Sequence, residues 1–105
     1  MYRLYAAFAA VMNLKINQMD KETQILEQNG FIQGFPFIDH FRKDLSEIAC
    51  IKIQTSYHLK RNDIIEDGKF GVFNRYIKVT NIKLPISESK IFHKLENALL
   101  YTNLL

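Results

Sequence analysis

The chain of 105 residues has one cysteine, Cys50, so no disulfide forms within it. A lone thiol suits a reducing compartment, and the expected location is the cytoplasm, or the host-cell cytoplasm if the protein is phage-derived. Paired cysteine spacings, a P-loop, the Rossmann glycine pattern and the Gly-x-Ser-x-Gly elbow are all missing. Their absence removes the best-defined nucleotide-binding, metal-clasping and hydrolytic chemistries, and neither a cofactor nor a catalytic set is expected. No apolar run is long enough to span a bilayer. The stretch from Leu4 to Val11, with Ala6, Ala7, Ala9 and Ala10, has the look of a short signal core, but Arg3 alone supplies charge ahead of it. No membrane partner is expected. Repeats, linkers and low-complexity tracts are also lacking, which favours a single domain over residues 1–105.

Apolar residues make up 48% of the chain and charged residues 24%, with eight Phe and five Tyr among them. That is enough apolar surface to offset the ordering entropy of one small core. The formal net charge is only +3. Its distribution is uneven, because no acid falls between Asp67 and Glu88, while Lys69, Arg75, Lys78 and Lys83 all do. Ile, Lys and Asn are abundant and Lys outnumbers Arg, a bias that fits an AT-rich genome such as that of a low-GC bacterium or its phage.

Apolar spacing divides the chain into a helical part and an alternating part. Leu4, Phe8, Met12 and Ile16 recur every four residues and predict a first helix. Asp20 suits the N-cap of a second, with Ile25 and Leu26 buried and Asn29-Gly30 as its stop. Ile38, Phe41, Leu45 and Ile48 predict a third helix beginning near Pro36. From Cys50 the period changes to two: Ile51, Ile53, Thr55, Tyr57 and Leu59 alternate with polar residues and predict a strand. Residues 70–73 and 76–84 read as two more, with a bulge near Thr80-Asn81 where the apolar parity slips. After Pro85, Ser87 suits the cap of a last helix burying Ile91, Phe92, Leu95 and Leu99. The predicted fold is α+β: N-terminal helices, a three-stranded antiparallel meander over about residues 50–84, and a C-terminal helix packed on the sheet.

Three kinds of function are compatible with these patterns. The first is a non-enzymatic binding or regulatory protein that docks on a larger protein partner, an inhibitor from a phage or mobile element being one form of it. Phe31, Phe35, Phe37 and Phe41 crowd one short segment and exceed what so small a core absorbs, and exposed aromatics mark interfaces. Leu100 and Leu104 extend the apolar surface of the last helix beyond one face, which suits a protein partner or a homodimer. The second is nucleic-acid binding through the 69–84 strands, with Lys69, Arg75, Lys78 and Lys83 on phosphates beside Phe70 and Phe73. The third is a metal-dependent enzyme. It rests on His40, Asp44 and Glu47, which share a face if residues 36–48 are helical. Cys50 becomes a nucleophile only beside an imidazole such as His58 or His93, and strand spacing keeps His58 away from it.

Overall fold

Residues 21–105 are described by a computed structural model of the chain, which divides into two compact units, Met1–Gly30 and Phe31–Leu105. In the first unit, α1 is described over residues 21–28, with Leu26 fully buried. Its end follows the expected rule. Asn29 N–H donates to the Ile25 and Leu26 carbonyls and Gly30 N–H to Glu27. Gly30 then turns the chain out at φ 88°, a left-handed conformation that glycine adopts without a Cβ penalty. The helix expected over Leu4–Met19 and the Asp20 cap lie outside the described residues.

The second unit is one five-stranded antiparallel sheet with strands in sequence order: β1 (Ile32–Gln33), β2 (His40–Asp44), β3 (Ala49–Gln54), β4 (Ile77–Lys83) and β5 (Ile86–Phe92). Helix α2 (Leu95–Thr102) follows and packs against β4 and β5. Alternation assigns the two faces of the sheet. One carries Phe41, Ile53 and Val79 in a single register row, with Ile51, Ile77 and Phe92 nearby, all buried but for the row's last member, Lys90. Each such apolar side chain contributes on the order of 1.5–3 kcal/mol when removed from water. Ala98 and Thr102, one helical turn apart on α2, are buried, and Tyr101 meets Phe92 at 5.6 Å between ring centroids.

The other face is polar along the row Arg42, Lys52, Thr80 and Ser89, where the Thr80 and Ser89 hydroxyls lie 3.0 Å apart. Cys50, in register with Ile82, is buried on this face, and among the described residues the face is also covered toward the far end of β5. There the long β3–β4 connection returns and Ile65, Tyr76 and Ile91 form a small buried cluster with Tyr57, Leu59 and Phe73 around it.

The α+β class and the antiparallel meander are present, but the sheet has five strands instead of three, and several boundaries move. Residues 36–48 are not a helix. Only Phe41 of the predicted stripe is buried, while Ile38, Leu45 and Ile48 are exposed on the turns at either end of β2. Leu45 and Ser46 both donate to the Ala49 carbonyl, closing a turn where a helix would continue. The strand expected over 50–59 ends at Gln54, and Tyr57 N–H then bonds the Tyr76 carbonyl instead of a ladder partner. Residues 70–73 are not a strand: Val72 N–H closes a turn on the Lys69 carbonyl, with Gly71 at φ 74°. No bulge interrupts β4, whose register with β5 is continuous. The apparent slip arises because Ile82 belongs to the opposite face, in register with Cys50. Pro85 sits in the tight β4–β5 turn, and Ser87 lies in β5, so the last helix starts only at Leu95.

Candidate interaction surfaces

The Phe-rich segment splits two and two. Phe31 and Phe41 are 2% and 3% exposed, whereas Phe35 and Phe37 are 97% and 61% exposed. The split follows from the β1–β2 hairpin. Gly34 N–H donates to the His40 carbonyl at 2.7 Å, Phe37 N–H to Gly34 at 2.8 Å, and His40 N–H to Phe37 at 3.2 Å. The Gln33 amide adds a 2.7 Å bond to the Ile38 carbonyl. These bonds close the tip within the hairpin, while the Asp39 carbonyl accepts from Thr55 N–H at 2.9 Å, and none of them requires the phenylalanine side chains to be buried. Phe35, Phe37 and Ile38 are all exposed at the tip, and the Phe37 ring centroid lies 5.2 Å from that of His40. Ile32 on β1 is exposed as well. At the other end of the chain Leu100 and Leu104 are exposed on and just after α2.

A second locus was not apparent from the sequence. The Asp67 carboxylate accepts from His93 N–H at 2.7 Å, Lys94 N–H at 3.1 Å and the Asn97 side-chain amide at 2.8 Å. Lys94 makes no side-chain cap of its own, so Asp67 serves the start of α2 from a distant loop. Burial by itself would raise the Asp67 pKa, but the donations from Asn97, His93 and Lys94 outweigh it and hold the carboxyl at about 2. His93 Nδ1 is 3.0 Å from Asp67 Oδ1, an electrostatic contact that lies off the hydrogen-bonding direction. The imidazole stacks on Phe73, with centroids 3.5 Å apart and planes 11° from parallel. Gly68 makes room for this stack, because a Cβ there would overlap the Phe73 ring. The Asp67-Gly68 pair reads in sequence as a turn. Its tie to His93, more than twenty residues on, has no local signal.

The remaining sequence candidates are dispersed. Lys78 and Lys83 fall on opposite faces of β4, because five residues of alternation separate them. Lys69 opens the 69–72 turn, and Arg75 donates from Nε to the Thr55 carbonyl at 2.9 Å. The basic stretch thus does not form one surface. His40 and Asp44 lie at the two ends of β2 and Glu47 in the turn after it. Four residues of strand span roughly 13 Å, so the premise of a shared helical face is gone. No group of three or more potential metal ligands gathers among the described residues. Cys50 is buried in register between Asp44 and Ile82, while His93 is engaged with Asp67 and Phe73.

No helix among the described residues is long and apolar enough to cross a membrane. Comparison with protein-family models, with curated proteins and with solved structures found no match.

Proposed function

We propose that this chain is a non-enzymatic binding protein that docks on a larger protein partner through the tip of the β1–β2 hairpin. The observation that carries the reading is the exposure of Phe35 and Phe37 on a hairpin tip closed by backbone bonds among Gly34, Phe37 and His40. Exposed phenylalanines on a well-formed turn are suited to act as anchors, since little conformational entropy is lost when they enter a pocket. Ile38 and Ile32 widen the apolar contact. Leu100 and Leu104 offer a second, smaller patch for the same partner or for another copy of the chain.

The reading is tested by placing a photo-cross-linking amino acid at position 35 in the native host. A discrete adduct is expected, and it should disappear when Phe37→Ser is added. Adducts spread over many proteins, unchanged by that substitution, would contradict it.

A further inference from the structure

Among the described residues, the far edge of the sheet is open. β5 pairs with β4 on one side only, and its ladder is regular from Ile86 to Phe92. Glu66 N–H donates to the Ile91 carbonyl, so the backbone groups of Ile91 point away from β4. In an antiparallel ladder that direction alternates, so the N–H and C=O of Ser87 and of Ser89 point outward too. The segment around Ile65 pairs in parallel with Ile91 and goes no further along the edge. Ser87, Glu88 and Ser89 are exposed, and among the described residues nothing pairs with their outward backbone groups. Where the Ile65 segment leaves β5, a cavity of about 320 Å³ opens between Ile64, Glu66, Lys78 and Glu88.

The charges around this cavity define what fits. Lys78 Nζ lies 5.0 Å over the Tyr57 ring and Lys90 Nζ 5.0 Å over Tyr101, so both cations already have aromatic partners. The Asp63 carboxylate is also engaged, accepting from Tyr57 Oη at 2.8 Å and Lys60 N–H at 2.7 Å. Among the described residues, no hydrogen bond or ion pair engages the Glu66 or Glu88 carboxylate. Ile65 shares a face with its bridge partner Ile91, so alternation puts Glu66 on the face of Glu88. Two uncommitted carboxylates therefore flank the open backbone.

We propose that the free edge of β5 is a strand-addition site for an extended, basic peptide segment of another protein. The outward groups of Ser87 and Ser89 give main-chain bonds, and Glu88 with Glu66 selects a lysine or arginine in the added strand. A second copy of the chain is a poor occupant. Antiparallel self-pairing over residues 86–90 sets Glu88 directly opposite Glu88, and like charges so placed are destabilising. This site lies at the opposite edge of the sheet from the Phe35 hairpin and does not depend on it.

The test is an amide NMR titration with a capped heptapeptide of alternating valine and lysine, compared with its glutamate counterpart. The lysine peptide is expected to shift the amides of 86–90 and to slow hydrogen exchange at Ser87 and Ser89. The glutamate peptide should bind about fivefold more weakly, and Glu88→Lys should reverse that order. Ser89→Pro removes an outward donor, keeps the backbone ladder to β4 and loses the hydroxyl contact to Thr80, which Ser89→Ala also loses; it should weaken the lysine peptide about fivefold relative to Ser89→Ala while the spectrum stays folded. Phe35→Ser should leave the titration unchanged. Absence of shifts along β5 at millimolar peptide would overturn the proposal, as would equal binding of the two peptides or loss of binding with Phe35→Ser.

Discussion

In the β1–β2 hairpin, Phe35 and Phe37 stand in solvent on a backbone whose hydrogen bonds close among Gly34, Phe37 and His40. In the 66–73 loop, Phe73 lies flat on His93, Gly68 leaves space for the ring, and Asp67 binds the start of α2. Both loops combine glycine with phenylalanine, and both look like turns in sequence. They differ in where the polar side chains go. Asp67 reaches across to another element and brings its neighbours with it, whereas Gln33 bonds its own hairpin and leaves the phenylalanines free. A loop whose hydrogen bonds are long-range holds the fold together. A loop whose polar side chain, Gln33, bonds its own hairpin can present its phenylalanines to something else, even though its Asp39 carbonyl accepts from Thr55 N–H beyond β3.

That contrast can be broken or sharpened by substitution. The largest effect belongs to the buried half of the Phe-rich segment: Phe41→Ala should cost about 3–5 kcal/mol in urea unfolding, the usual range for emptying a buried aromatic site. Asp67→Ala should come next, at about 2 kcal/mol, because it leaves the His93 and Lys94 N–H groups unpaired at the start of α2. The same group gives a pH signature. Its folded pKa of about 2 lies below the unfolded value, so its contribution is complete above the unfolded pKa and is lost as pH falls through the folded one. Unfolding midpoints should therefore decline below about pH 4 in the parent chain, and Asp67→Ala should flatten that decline.

Gly68→Ala should cost about 1–3 kcal/mol by forcing Phe73 off His93, with loss of the ring-current shift on the His93 protons in NMR. The smallest stability effect is expected for Phe35→Ser, within about 0.5 kcal/mol of the parent, since no packing is lost. A large loss there would mean that the tip is part of the fold and would erase the distinction between the two loops.

The legible parts of this molecule were those in which local spacing and burial agree. Asn29-Gly30 ends α1 as a glycine stop should, and the alternation of Ile51 and Ile53 marks β3. The misread parts share a physical cause. β2 has one buried apolar residue in five, and the exposed Ile38, Leu45 and Ile48 around it imitate a helical stripe. The first half of β5 carries Ser87, Glu88 and Ser89 at an open edge, where no alternation is imposed, so Ser87 reads equally well as a helix cap. Four phenylalanines crowd one segment in the sequence, but which pair is buried depends on the pairing of Gln33 with Phe41. The Asp67 contacts join groups 26 to 30 residues apart and leave no pattern within a sequence window.

The central claim is that Phe35 and Phe37 are kept in solvent for a protein partner. Quantitative co-purification from the native host, comparing the parent chain with Phe35→Ser/Phe37→Ser at matched stability, tests it most directly. The account predicts one protein recovered in stoichiometric amount with the parent and lost with the double variant. Identical recoveries from the two chains would contradict it.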